Sequence, residues 1–284
     1  MIPVMPAAFV RPELLATTDW VAEHLPRSSV RVLDCRWRPD GSAHRLFAAG
    51  HIPGAVFLDW TGELVDPDDP TPFQLAGPER FAAAMSGAGI GDGTTVVCYD
   101  DTASLYASRV WWSLQTYGFD SARVLDGGWP AWVASGRPST TAQLPPEPAT
   151  FTPRLDPRRR LITADVRALI GAAEVELVDA RSPADFAGQQ GDSSRLGRLP
   201  GAINIPAALV TDPDGQRFLA PDRLSAVIGR LGLSRERRII VYDASGIAAT
   251  KVAFAFALLG YADVGVYDAG WAEWGTRLDL PVNR

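Results

Sequence analysis

The residues best placed to do chemistry form one short stretch, Tyr242-Asp243-Ala244-Ser245-Gly246-Ile247-Ala248-Ala249-Thr250, between the apolar run Ile239-Ile240-Val241 and an apolar helical window. Small residues leading from a strand into a helix aim several backbone N–H groups at one point. Backed by the helix dipole, such a nest holds an anion or stabilises an ionised side chain. Ala244, Ser245, Gly246, Ile247 and Ala248 would line this anion- or substrate-binding loop, with Gly246 permitting the tight backbone and Ser245 adding a hydroxyl donor. Asp243 stands at its mouth and has two uses. It is either a catalytic group or an internal anion that accepts the loop amides itself. Hydrogen bonds to a charged acceptor are each worth about 1.5–3 kcal/mol, which favours the internal anion. Tyr99-Asp100 repeats the pair elsewhere in the chain. As a nucleophile, an aspartate after an apolar strand suits hydrolases with a second aspartate two residues on, but here that position is Ser245, so this is the weakest use.

Other reactive groups are few. Cys98 sits inside an apolar run, where a thiol is buried and its pKa raised; Cys35 follows Asp34 at a strand end, outside the nest. A buried cysteine behaves as a small hydrophobe. Two cysteines are too few for a disulfide framework or a thiolate zinc site, and His24, His44 and His51 lie far apart, so neither a metal nor a cofactor is expected.

These residues need elements to position them, and a repeat supplies the plan. Leu33-Asp34-Cys35-Arg36 returns as Val178-Asp179-Ala180-Arg181, and Gly50-His51-Ile52-Pro53-Gly54-Ala55 as Gly197-Arg198-Leu199-Pro200-Gly201-Ala202. Tyr99-Asp100 returns as Tyr242-Asp243, and Asp126-Gly127-Gly128-Trp129 as Asp268-Ala269-Gly270-Trp271, all in the same order and 142–147 residues apart. That is a duplicated domain, read as 1–137 and 161–284, joined by a Pro/Arg-rich linker over 138–160 that carries Arg154, Arg158, Arg159 and Arg160. In each copy, short β-branched runs (30–34, 94–99 and 122–125; 175–178, 238–242 and 264–267) alternate with helical windows such as 104–117 and 247–259. The fold class is α/β: two tandem, doubly wound parallel sheets with helices on both faces, and sites just past the carboxyl ends of strands.

At 284 residues, 46% hydrophobic and 21% charged, the composition is that of a globular protein. The net charge of −6 offers no footprint for nucleic acid, and the longest apolar run, Val252 to Leu259, is too short for a membrane span. Met1 to Pro6 has two prolines and no basic residue, unlike a secretory signal, so a cytoplasmic location is expected.

The tandem repeat, the His-Ile-Pro-Gly-Ala and Asp-Gly-Gly-Trp-Pro-Ala-Trp stretches at 51–55 and 126–132, and the Tyr-x-x-Ser-Gly loop at 242–246 resemble the two-domain rhodanese family of thiosulfate and 3-mercaptopyruvate sulfurtransferases. The resemblance implies a rhodanese fold in each half, a non-catalytic first copy and an active site in the second copy's loop. There a cysteine thiolate carries sulfur as a persulfide to an acceptor thiol or cyanide. Asp243 stands in that cysteine's place, and Asp185, before Phe186, in that of an arginine that holds the anionic substrate; Arg195 is the candidate replacement. His51 and Ser245 match the histidine and serine of mercaptopyruvate-type members, with Asp40 a candidate partner for the histidine, although His51 could simply cap its turn. The Asp-x-Gly-Trp tryptophans are expected in the core. A carboxylate cannot carry a persulfide, so the expectation is a degenerate sulfurtransferase-like protein that binds a small sulfur compound or other anion, or regulates. The alternatives are sulfur transfer by Cys35 or a substrate-assisted route, and an aspartate-nucleophile hydrolase.

Overall fold

The computed structural model describes residues 8–25, 27–191, 193–212 and 216–284; the N-terminal hexapeptide discussed above lies outside them. The first copy contributes β1 (Leu15–Ala16), β2 (Val30–Asp34), β3 (Val56–Phe57), β4 (Thr95–Tyr99) and β5 (Ala122–Leu125). The second contributes β6 (Arg160–Leu161), β7 (Val175–Asp179), β8 (Ile203–Asn204), β9 (Arg238–Tyr242) and β10 (Val264–Tyr267). The strands form two five-stranded sheets ordered β1-β5-β4-β2-β3 and β6-β10-β9-β7-β8, and every pairing is parallel. The three longer strands of each copy match the apolar runs. The edge strands are two residues each, too short to leave a periodic signal.

Both faces of each sheet are buried. On β4, Val96 and Cys98 point into one core while Val97 and Tyr99 point into another; on β9, Ile239 and Val241 oppose Ile240 and Tyr242 in the same way. That alternation explains why the central strands read as unbroken apolar runs. One core spans both copies. Helices Leu105–Thr116 and Ala248–Leu258 pack against each other across it, and Trp111 meets Phe254 edge to face with ring centroids 4.7 Å apart. The Val252–Leu259 run thus lies between the copies, and among the described residues no helix is long and apolar enough to cross a membrane. The connecting segment lies along the first copy: Phe151 is buried, and the Arg154 and Asp156 amides donate to the Tyr117 and Thr116 carbonyls at 2.9 and 2.8 Å.

Candidate functional site

The repeated motifs hold the turn that follows each central strand. Asp179 at the end of β7 grips Arg181, Nη2 to Oδ2 at 2.6 Å, and the same Nη2 donates to the Gly197 carbonyl at 2.7 Å. The guanidinium lies 4.5 Å from the Trp271 ring centroid. Asp34 and Arg36 repeat this in the first copy, reaching the Gly50 carbonyl at 2.9 Å. The Asp-x-Gly-Trp motif then clasps the loop from the side. The Trp271 and Ala272 amides donate to the Asp243 and Ala244 carbonyls, both at 2.8 Å. Gly270 makes this approach possible: its φ is +55°, and a Cβ there would lie 2.4 Å from the Asp243 carbonyl oxygen. Trp274 and Trp132 are fully buried, as expected of core residues, but Trp271 also forms a wall of the cavity described below.

Asp243 is 5% exposed. The Ala248 N–H donates to its Oδ2 at 3.1 Å, while Oδ1 has no hydrogen-bond partner among the described residues. Burial pushes the carboxyl above the ordinary aspartate range, and the amides of Ala248, Gly246, Ser245 and Ala249 pull the other way. Gly246 turns the chain at φ +76°, where a Cβ would come 2.4 Å from the Asp268 carbonyl oxygen. Ile247 is buried in the shared core, and Ser245 is half-buried.

The first copy braces this loop. Arg109, buried on the helix Leu105–Thr116, donates to the Gly246 carbonyl at 3.0 Å, to Asp268 at 2.6 Å and to the Phe73 carbonyl at 2.6 Å. Leu75 N–H adds a bond to Asp268 Oδ2 at 2.9 Å. A cavity of about 600 Å³ opens in front, with Asp243, Ala244, Ser245 and Ala248 on one side and Pro72 and Phe73 of the first copy on another. Asp185 lines it too, its carboxylate bonded to the Ser182 hydroxyl.

Several expected residues lie elsewhere. Arg195 does not line this cavity; its Nη1 and Nη2 donate to the Leu280 and Trp274 carbonyls at 2.8 and 2.7 Å, holding the C-terminal segment. His51 is buried in the first copy, its Nδ1 2.8 Å from the Phe47 carbonyl and its Nε2 3.2 Å from that of Ala142. Its ring stacks on Phe47, which fits the turn-capping use, and Asp40 is exposed and bonded to the Ser42 amide instead of the imidazole. Both cysteines are fully buried, and burial drives the Cys35 thiol well above the ordinary range. A carboxylate of the chain itself takes the Ala248 amide, and the Arg195 guanidinium is held away from it.

The residues missed from sequence are Phe73 and Arg109. Phe73 left no signal. Arg109 left one, being a charged residue inside an apolar helical window that can be buried only with partners.

Residues 17–135 and 163–277 each match the model of the rhodanese-like domain. The chain belongs to the rhodanese family. Similar relatives include the sulfur carrier protein TtuD of Thermus thermophilus, 34% identical over 96% of this chain and 98% of that protein. The 3-mercaptopyruvate sulfurtransferase of Escherichia coli is 33% identical over 93% of this chain and 95% of its own. Among solved structures, the rhodanese-fold 3-mercaptopyruvate sulfotransferase SseA from Escherichia coli superposes with a TM-score of 0.83 at 30% identity, covering 91% of this chain and 98% of that one.

Proposed function

We propose that this rhodanese-family chain does not relay sulfur as a persulfide on its C-terminal loop and acts through binding at the cavity over that loop. Asp243 takes the position of the family's sulfur-carrying cysteine, Asp185 that of its substrate arginine, and residues 1–137 form a supporting copy joined through 138–160 to the site-bearing copy 161–284. The observation that carries the reading is the Asp243 carboxylate itself, buried and bonded to the Ala248 amide where a persulfide would need the loop donors. An oxygen acid has no soft nucleophilic sulfur to offer. Transfer by Cys35 is disfavoured by a buried thiol with a raised pKa, since the thiolate is the reactive form.

The test is cyanide-coupled sulfur release by the purified protein with thiosulfate and with 3-mercaptopyruvate. The expected rate equals the no-protein background with both donors. Turnover with either donor overturns the reading and turns attention to Cys35→Ser and Cys98→Ser variants.

A further inference from the structure

We propose that the cavity over Asp243 binds a small organic cation, an ammonium or guanidinium on an apolar body, and not a small anion. The inference rests on the reading that Asp243 replaces the sulfur-carrying group, and it names the ligand class that the replacement selects. Three observations converge. Asp243, 5% exposed, lines the cavity; its Oδ1, shut off from solvent, has no hydrogen-bond partner among the described residues, and its Oδ2 accepts the Ala248 N–H. A second carboxylate, Asp185, lines the same cavity, and its bonds are to neutral groups, the Ser182 hydroxyl and the Gln190 amide. The guanidinium on the wall, Arg181, is neutralised by Asp179, with its Nε and Nη2 held by that carboxylate and the Gly197 carbonyl.

The cavity therefore faces its ligand with two carboxylates that have no ion-pair partner among the described residues. A carboxylate held out of water without a counter-ion is costly, and a cation in the cavity offsets that cost through a charge–charge attraction that the low local dielectric strengthens. An incoming anion meets the opposite field. Phe73 and Trp271 give the walls an apolar character that suits a ligand with an apolar body.

The experiment is calorimetric titration of the full chain with three probes of one shape and different heads: benzylammonium, benzyl alcohol and benzoate. Benzylammonium is expected to bind saturably and about tenfold or more tightly than the other two. Asp243→Asn is expected to lower its affinity about tenfold and Asp185→Asn about threefold, with thermal unfolding confirming that each variant folds. Should Asp243→Asn fail to fold, Asp243→Ser replaces it. The proposal is overturned if benzoate or benzyl alcohol binds as tightly, if benzylammonium shows no saturation below about 10 mM, or if removing the Asp243 charge leaves its affinity unchanged. Sulfur release is measured on the same preparation. Background release without cation binding overturns this inference alone, whereas turnover overturns the reading beneath it.

Discussion

The loops after β4 and β9 start from the same Tyr-Asp pair and finish as different devices. Asp100 accepts four backbone N–H groups: those of Thr102 and Ser104 on Oδ1 at 2.8 and 3.0 Å, and those of Tyr106 and Ala107 on Oδ2 at 2.7 and 2.8 Å. Around it, Trp37, Trp60 and Tyr106 pack ring to ring at 5.5–6.0 Å. In the second copy Ser182 stands at the place of Trp37, the neighbours are small, and about 600 Å³ stays open in front of a carboxylate with one oxygen unpartnered. Sealing and opening thus come from two choices, the turn that delivers the amides and the bulk of the residue three positions after the Asp of β2 or β7.

The two copies also brace each other reciprocally but unequally. Phe73 and Gln216 sit at equivalent bends with φ of 63° and 55°. Leu75 N–H donates to Asp268 in one direction, and Phe218 N–H to Asp126 at 3.1 Å in the other. The difference lies in burial. The Arg109–Asp268 pair has side chains 3% and 1% exposed, the Arg217–Asp126 pair 47% and 21%. Arg109→Met leaves Asp268 buried with part of its compensation gone and should cost about 3–5 kcal/mol in urea unfolding. Arg217→Met should cost no more than about 1 kcal/mol. Equal losses would break the claimed asymmetry.

A second contrast sits on the paired helices, where Ser108 of the first copy corresponds to Lys251 of the second. Lys251 is buried, its Nζ donates to Thr211 Oγ1 at 2.9 Å, and burial lowers its pKa to about 8 against the partial support of Asp100. A lysine depressed from 10.5 to about 8 binds fewer protons folded than unfolded between those values, so stability rises with pH across that window. Below about pH 8 the full cost is present. Lys251→Met should stabilise the protein by about 2–3 kcal/mol at pH 7, and the gain should fade between about pH 8 and the ordinary lysine value. A gain independent of pH would show that packing, not charge, sets the effect.

Much of this architecture was legible in the residues. The four repeated motifs locate both loops, and the β-branched runs locate the central strands. The acceptor geometry was not, because it depends on Ala103 and Ser104 adopting consecutive left-handed conformations, φ 51° and 61°, that these residue types seldom take. The second loop has Gly246 at the first of those positions and Ile247, at φ −90°, at the next. The orientation of Arg195 was not legible, and two uses stayed open for His51, for a related reason. A motif fixes where a residue sits along the chain, not which way its side chain turns, and both turned toward backbone carbonyls.

The smallest expected effect is the sharpest test of the two loops. Burial raises both carboxyls above the ordinary aspartate value, so titration alone would treat them alike; the donors separate them. Asp100→Asn replaces one acceptor oxygen by an NH₂ group, which cannot accept both pairs of amides, and should destabilise the fold by about 2 kcal/mol at pH 7. In Asp243→Asn the NH₂ group can take the place of the unpartnered Oδ1, while the remaining oxygen keeps the Ala248 bond. The raised carboxyl of Asp243 means that the folded chain holds more protons than the unfolded one in the window above 3.8, so wild-type stability falls as pH rises through it. Below that window the wild-type carboxyl is protonated and resembles the amide. The difference between Asp243→Asn and wild type should therefore be near zero at about pH 3 and about 1 kcal/mol in favour of the variant at pH 7. Thermal unfolding across that range reads it directly. A variant less stable than wild type at pH 7 would mean that the second loop satisfies its aspartate as fully as the first.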